Sequence, residues 1–210
     1  MADGYARATG KPAAVLVTSG PGAGNTVTGL MTAQMDSVPM LVICGQQVTW
    51  MLGKDAFQEA DIFGITIPVV KHNYLVKETN DLVRVTKEAY HIATTGRPGP
   101  VLIDVPKDVS SGDFTATMDP ELDLPGYDPY ESLNIDPFRI EEAVALIKKA
   151  KRPVILAGQG TMISRADQEL MELATKLNCP VTSTLLGKGV FPETHDLSLG
   201  MLGMHGTAYA

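Results

Sequence analysis

Glycine and proline cluster where an apolar strand runs into a helix near the start of the chain. The segment Val15–Asn25 reads Val-Leu-Val-Thr-Ser-Gly-Pro-Gly-Ala-Gly-Asn. Its glycines allow positive φ and leave no Cβ in the way of a ligand, and free N–H groups at the start of a helix favour anionic or acceptor groups. The pattern therefore predicts a turn that brings backbone close to a ligand. A strand-to-helix turn that binds nothing is the alternative.

A second turn of this kind lies in the later half of the chain. Residues 154–161 read Val-Ile-Leu-Ala-Gly-Gln-Gly-Thr and lead into a helical pattern. The layout is that of a nucleotide-binding β-turn-α unit, although Ile163 stands where a complete G-x-G-x-x-G would have its last glycine. A plain turn remains the alternative here too.

Charge and cysteine usage exclude several function classes. Lys and Arg number 17 against 24 Asp and Glu, a net charge of −7 without a basic run, so nucleic acid is not expected as a partner. Cys44 and Cys179 lie in apolar segments without disulfide or metal-ligand spacing, which favours a reducing, cytoplasmic location of the bacterial type and no metal site. No apolar stretch approaches the roughly 20 residues that span a bilayer, so no membrane partner is expected.

Hydrophobic periodicity predicts an α/β fold built on parallel sheets. Apolar runs that do not alternate are typical of strands covered on both faces. Such runs occupy residues 13–17, 40–44, 66–70, 101–105, 153–157 and 180–183. Helical patterns occupy residues 25–35, 81–94, 137–150 and 164–177. The third helix should begin at Asp136-Pro137, with a capping carboxylate and a proline at its first position, and carry Ile140, Val144 and Ile147 on one face.

A polar stretch with three prolines predicts the domain organisation. It separates an α/β domain over residues 1–108 from a second one over residues 136–210, with residues 109–135 as linker. Residues 1–7 read as the end of a helix entered midway, and residues 203–210 stop within a Gly-rich segment. We therefore expect an N-terminally truncated first domain and a C-terminally truncated second one.

Eight short strings of residues, taken together, resemble a known family. In their order they are similar to the thiamine-diphosphate-dependent enzymes, and most of all to the catalytic large subunit of acetohydroxyacid synthase (acetolactate synthase). The strings are Ala2–Pro12, Thr18–Gly22, Asp36–Pro39, Asp55–Glu59, Lys71–Tyr74, Gly96–Val101, Asp104–Asp108 and Gly203–Thr207.

The resemblance implies a fold, a reaction and cofactors. The first domain would be part of a pyrimidine-binding domain, and the second part of a Rossmann-like central domain that binds FAD. The family condenses pyruvate with a second 2-keto acid, pyruvate or 2-oxobutyrate, with loss of CO₂ in branched-chain amino acid biosynthesis. It uses thiamine diphosphate, FAD and Mg²⁺, and the Mg²⁺ ligands would lie outside this chain. The implied partners are 2-keto acids, further copies in a homodimer or higher oligomer, and a regulatory small subunit.

Individual residues match positions with roles in the family. Phe57, Gln58 and Lys107 match residues at the substrate channel and the reacting centre. Cofactor contacts are implied for Pro21, Gly22, Asn25, Arg97, Gly158, Gln159, Gly160, Thr184, Leu185, Leu202, Met204, His205 and Gly206. Two positions depart from the family, with Gly24 in place of the usual threonine and Gln159 in place of a common glycine. The histidines at 72, 91 and 195 are interpreted as structural or surface residues.

Three functions stay open at this point. The first is a partial acetohydroxyacid synthase subunit, itself inactive, because the family's activating glutamate would fall six residues before Met1. The second is another thiamine-diphosphate carboligase or oxidase such as glyoxylate carboligase. The third is a non-catalytic nucleotide-binding module on the same α/β scaffold.

Overall fold

The computed structural model describes residues 1–127 and 135–210. These two stretches form two compact units. Each unit is α/β and holds one parallel sheet. Within the described residues, no helix has the length and apolar character needed to cross a membrane.

The first unit is built on a four-stranded parallel sheet in the order β1-β2-β4-β3. Its strands are β1 (Ala13–Val17), β2 (Met40–Gln46), β3 (His72–Leu75) and β4 (Pro100–Pro106). Its helices are α1 (Ala2–Thr9), α2 (Pro21–Gly24), α3 (Val27–Met35), α4 (Ile62–Thr66), α5 (Leu82–Thr94) and α6 (Lys107–Ser110).

Both faces of β2 and β4 are covered, as their unbroken apolar sequences predict. On one face, Val42 and Leu102 pack in a cluster with residues of α3 and α4. On the other, Val101 and Ile103 pack with residues of α5. The predicted parallel α/β architecture is thereby confirmed for this unit.

The strand predicted over residues 66–70 is wrong. The chain there completes α4 and continues in a 3-10 turn over Ile67–Val69, and the strand β3 starts only at His72. Pro68 explains the difference, because it has no N–H for a sheet ladder and its fixed φ suits the start of a helical turn. The predicted helix over 25–35 also starts earlier, at Pro21, and is interrupted between α2 and α3.

Part of the predicted linker lies on the first unit. Between residues 109 and 127 the chain runs along α5, where the Lys87 Nζ donates to the Pro120 carbonyl at 3.0 Å. The Asn80 side-chain oxygen accepts from the Thr115 N–H at 2.8 Å, and Tyr127 packs against the α5 cluster. Residues 128–134 of the predicted linker lie outside the described residues.

The second unit holds a three-stranded parallel sheet in the order β5-β6-β7. Its strands are β5 (Ile155–Ala157), β6 (Val181–Ser183) and β7 (Ser198–Met201), and its helices are α7 (Pro137–Lys149), α8 (Gln159–Ile163) and α9 (Asp167–Leu177). Ala157 and Val181 pack with Leu170 and Ala174 of α9.

The start of α7 confirms the predicted cap, since the Asp136 carboxylate accepts from the Phe138 N–H at 3.0 Å. The apolar face of α7 is nevertheless exposed, with Ile140 at 53%. The helix predicted from Ser164 begins later, at Asp167, because Arg165 takes a left-handed φ of 55°. The strand β7 was not predicted, and Gly200, at φ 71°, interrupts its apolar pattern.

Candidate functional site

The glycine turn after β1 and the loop that carries Gln58 meet at the carboxyl end of the first sheet. Gly20 has φ 59° and ψ −118°, and a Cβ built on it would lie 2.7 Å from the Gln58 carbonyl oxygen. Gln58 itself has a φ of 58°, which is uncommon outside glycine. The structure therefore brings together the predicted cofactor turn and a predicted catalytic residue, through a contact that admits only glycine.

Two consecutive glutamines at the end of β2 hold the Gln58 loop. The Gln47 side-chain amide donates to the Phe57 carbonyl, and the Gln46 Nε2 donates to the Ala60 carbonyl at 2.9 Å. Both carbonyls flank Gln58. Phe57 and Gln58 point outward, with the Phe57 residue 82% exposed. The loop backbone is thus fixed while its predicted functional side chains remain accessible.

A glutamate stabilises the preceding part of this loop. The Glu59 carboxylate accepts from the Ala56 N–H at 2.8 Å and from the Gly53 N–H. These backbone hydrogen bonds lower the pKa of Glu59 below its ordinary value, because they favour the ionised form. The ionised Glu59 carboxylate therefore connects the two ends of the segment Gly53–Glu59.

Lys107 begins α6 directly after β4, and its side chain is exposed. Its neighbour Asp108 accepts from the Thr49 N–H at 3.0 Å and from the Thr49 hydroxyl at 2.6 Å. The hydroxyl hydrogen bond is the main cause that lowers the pKa of Asp108. The segment that starts at Lys107 is thereby tied to the turn that carries Trp50.

The other predicted residues of the cofactor turn lie in α2 or directly after it. Pro21 occupies its first position and is exposed, and Asn25 follows its end, where its N–H donates to the Pro21 carbonyl at 3.1 Å. A Cβ on Gly22 would lie 2.6 Å from the Thr18 methyl group, whereas one on Gly24 would meet nothing within 4 Å. A side chain at position 22 would therefore require the Thr18 side chain to move, whereas position 24 has open space.

Two buried polar residues of this region were missed by the sequence reasoning. Asp104 on β4 is 1% exposed, and its Oδ2 accepts from the Gln46 Nε2 at 3.0 Å. Its Oδ1 has no hydrogen-bond partner among the described residues. Burial raises the pKa of Asp104 to about 7, with a smaller contribution from Asp61. An acidic residue within an otherwise apolar strand was the signal that could have found it.

Arg97 lies in the loop between α5 and β4 of the first unit, far from the glycine turn in sequence. Its Nε donates to the Ser37 hydroxyl at 2.7 Å and its Nη2 to the Met35 carbonyl at 2.9 Å. Ser37 has a left-handed φ of 57°. The guanidinium thus stabilises the end of α3 and is also exposed. The flavin contact of Arg97 stays a prediction.

The predicted flavin residues of the second unit share one edge, at the carboxyl ends of three parallel strands. This is the edge at which open α/β sheets bind ligands. They follow β5, β6 and β7 in turn and are Gly158, Gln159, Gly160, Thr184, Leu185, Leu202, Met204, His205 and Gly206. The Thr184 N–H donates to the Ala157 carbonyl at 3.0 Å, and the Leu202 N–H to the Ser183 carbonyl at 3.1 Å.

Glycine is sterically required at two points of this edge. A Cβ on Gly187 would lie 2.5 Å from the Ala157 carbonyl oxygen, and one on Gly206 would lie 2.2 Å from the Met201 carbonyl oxygen. Two apolar side chains stand out from the edge, Leu185 at 69% and Met204 at 92% exposure. A compact backbone with exposed apolar side chains suits the stacking of a planar ligand.

The histidines at 72, 91 and 195 contact other groups of the chain. His195 accepts from the Leu197 N–H at 3.1 Å and packs edge-on to Phe191, and burial lowers the pKa of His72. His91 lies 2.7 Å from the Tyr127 carbonyl oxygen. In the part of the chain that the structure describes, no group of three or more His, Cys, Asp or Glu residues could hold a metal ion.

Two family models match the chain. Residues 1–65 match the thiamine pyrophosphate enzyme N-terminal TPP binding domain, and residues 140–210 match the central domain of the same enzymes. The chain belongs to the thiamine pyrophosphate enzymes, and the predicted family is confirmed.

Curated relatives that share about half of their aligned residues with this chain are named acetolactate synthases. The chain is 54% identical to an acetolactate synthase of Arthrospira platensis, over all of this chain and 37% of that protein. It is 49% identical to the acetolactate synthase large subunit of Corynebacterium glutamicum, over all of this chain and 33% of that subunit. The chain thus spans about a third of the length of the curated relatives it matches.

A solved structure supports the fold. A protein of Mycobacterium smegmatis described as a thiamin diphosphate-dependent enzyme superposes with a TM-score of 0.83 at 29% identity. The match covers 97% of this chain and 38% of that one.

Proposed function

We propose that this chain is part of the catalytic subunit of an acetolactate synthase, which joins pyruvate to pyruvate or 2-oxobutyrate with loss of CO₂. The observation that carries the proposal is the contact between Gly20 and Gln58 in a chain 54% identical to one such enzyme. Thiamine diphosphate, when bound, supplies the carbanion chemistry of the reaction. We also propose a cytoplasmic location, because the two cysteines lack disulfide spacing.

The first unit offers the surfaces that such a reaction needs. Pro21, Gly22 and Asn25 form an exposed turn on which the pyrimidine ring of the cofactor would rest. Gln58 lies beside this turn and would reach the cofactor and the substrate, with Phe57 as an apolar wall next to it. Lys107 is an exposed cation that would attract the carboxylate of a 2-keto acid.

The second unit would bind FAD at the carboxyl edge of its sheet. The support is the common edge of the nine predicted residues and the exposed Leu185 and Met204 beside it. By the family resemblance alone, Arg97 keeps its own predicted flavin contact, for which a planar donor fork is suited. The Mg²⁺ ligands, a second catalytic subunit and a regulatory small subunit would come from outside this chain.

A chimera tests the proposal. The matching 37% of the Arthrospira platensis enzyme is replaced by these 210 residues, and acetolactate formation from pyruvate is measured with thiamine diphosphate, Mg²⁺ and FAD present. We expect activity in the chimera, a large loss on Gln58→Ala, and none in the 210-residue chain alone. A folded chimera that condenses glyoxylate but not pyruvate would favour glyoxylate carboligase, and a folded chimera without carboligase activity would contradict the proposal.

A further inference from the structure

The Gln46 side chain makes three hydrogen bonds, two through its Nε2 and one through its Oε1. Its Nε2 donates to the Asp104 Oδ2 at 3.0 Å and to the Ala60 carbonyl at 2.9 Å, and its Oε1 accepts from the Gln47 N–H at 2.9 Å. Gln46 is 8% exposed. Because each contact needs one end of the amide, the group functions in only one of its two flipped orientations.

Asp104 selects that orientation. Above its pKa the Asp104 carboxylate only accepts hydrogen bonds, so a flipped amide would then place the Gln46 Oε1 against the Asp104 Oδ2. The flip would also leave the Ala60 carbonyl without its donor. Asp104 therefore keeps the Gln46 Nε2 turned toward Ala60.

Burial of the Asp104 carboxyl is energetically unfavourable. The carboxyl is buried beside Cys44, one oxygen has no partner among the described residues, and burial raises its pKa. An apolar side chain of similar size would avoid the desolvation of a carboxylate and fill the same volume. The hydrogen bond to Gln46 is the contribution that an apolar side chain at this position could not make.

The oriented glutamines hold the backbone on both sides of Gln58. Gln46 binds the Ala60 carbonyl and Gln47 binds the Phe57 carbonyl. Between these two points the Gln58 backbone rests against Gly20. The Gln46 amide thus links the buried Asp104 carboxyl on β4 to the backbone of the predicted catalytic loop.

We propose that Asp104 and Gln46 are positioning residues that set the Phe57–Ala60 loop against the glycine turn. They act through the loop and touch neither substrate nor cofactor. The catalytic consequence rests on the proposed function of Gln58, whereas the effect on the loop does not.

The first test measures amide hydrogen exchange in the whole chain at a pH about one unit above the pKa of Asp104, where its carboxylate is ionised. Asp104→Asn keeps an acceptor for Gln46, and Asp104→Leu removes it at similar size. We expect Asp104→Leu and Gln46→Met to speed exchange at the loop amides about tenfold, equivalent to ~1.4 kcal/mol of local opening. Asp104→Asn should stay within about twofold of the wild type. Cys44→Ala is the packing control. It should leave the ratio of the exchange rates of the loop amides and the strand amides unchanged.

If both leucine and asparagine variants leave loop exchange at the wild-type rate, Asp104 positions nothing and the proposal is wrong. The proposal is also wrong if the Asn and Leu variants speed loop exchange equally, because equal effects would reflect loss of the charge and not loss of the acceptor. Should Asp104→Leu fail to fold, Asp104→Ala replaces it and is judged by the same criterion, while Gln46→Met tests the Gln46 contact.

The second test uses the chimera and separates kcat from KM. Gln46→Met should lower kcat for acetolactate formation about tenfold with KM for pyruvate within about twofold, as expected when a positioned group is displaced. An unchanged kcat alongside a loosened loop would overturn the catalytic part. An inactive wild-type chimera would count against the proposed function, while the exchange measurement would still decide on positioning.

Discussion

Gly20 and Gln58 meet backbone to backbone, 38 positions apart along the chain. A Cβ on Gly20 would lie 2.7 Å from the Gln58 carbonyl oxygen, and both residues hold a positive φ, 59° and 58°. The contact joins a turn after β1 to a loop after β2, which places both at the carboxyl end of one parallel sheet. Strained backbone that the surrounding structure holds in place is typical of functional sites.

Replacement of Gly20 should destabilise the chain. In Gly20→Ala the new Cβ collides with the Gln58 carbonyl and the left-handed φ adds strain, so we expect a loss of about 2–4 kcal/mol in the free energy of unfolding. Urea denaturation measures it. Gly24→Ala is the matched control, since nothing lies within 4 Å of its Cβ, and it should be neutral or stabilising. Equal effects of the two substitutions would contradict the close approach.

Asp104 should make stability depend on pH. Its folded pKa is about 7 against an ordinary value of 3.8, so between these values the folded chain binds more protons than the unfolded chain. Stability therefore falls as pH rises through this window, by at most ~1.4 kcal/mol per unit. The Cys44 thiol, with a pKa of about 12, stays neutral throughout.

The measurement compares unfolding free energies of the wild type and Asp104→Asn at pH 5 and pH 7. The variant should gain on the order of 2 kcal/mol relative to the wild type over that interval, since it cannot ionise. Other titrating groups cancel in the comparison. A constant difference between the two proteins would show that Asp104 does not titrate in this range.

Asp108 should control the mobility of the turn that holds the single tryptophan. In Asp108→Ala the Thr49 N–H and hydroxyl lose their acceptor, so the turn with Trp50 should loosen and its fluorescence anisotropy should fall. Because the pKa of Asp108 is lowered, the wild-type signal should persist as pH falls to the ordinary value of an aspartate and below. The exposed Asp113→Ala is the control, and a similar fall there would refute the role of Asp108.

Gly187 should be required for the edge of the second sheet. A Cβ there would lie 2.5 Å from the Ala157 carbonyl oxygen, while one on Gly160 would meet nothing within 4 Å. We expect Gly187→Ala to cost about 2–3 kcal/mol and Gly160→Ala less than about 1 kcal/mol. Thermal unfolding of both variants checks the difference. A tolerated Gly187→Ala would mean that the turns after β5 and β6 are not in contact.

Local patterns in the sequence predicted much of the fold. Unbroken apolar runs predicted parallel strands because a strand covered on both faces has no solvent face to alternate with. Asp136 and Pro137 predicted the start of α7 because a helix leaves its first N–H groups without partners. The apolar residues Val69 and Val70 led to a wrong prediction of a strand over 66–70, because Pro68 beside them places the chain in a helical turn.

Short strings of residues and the family resemblance predicted the individual residues of the candidate site, but not the contacts between them. The strings named Gly22 and Gln58, but the contact between Gly20 and Gln58 depends on strand order and register. The hydrogen bond from Gln46 to Asp104 spans 58 positions, and nothing in either local segment indicates the other. The sequence by itself determined the strands β1, β2 and β4, the start of α7 and the glycine turns, because those choices depend on neighbouring residues. Tertiary structure alone decided which polar groups meet inside, because that follows from the pairing of distant strands.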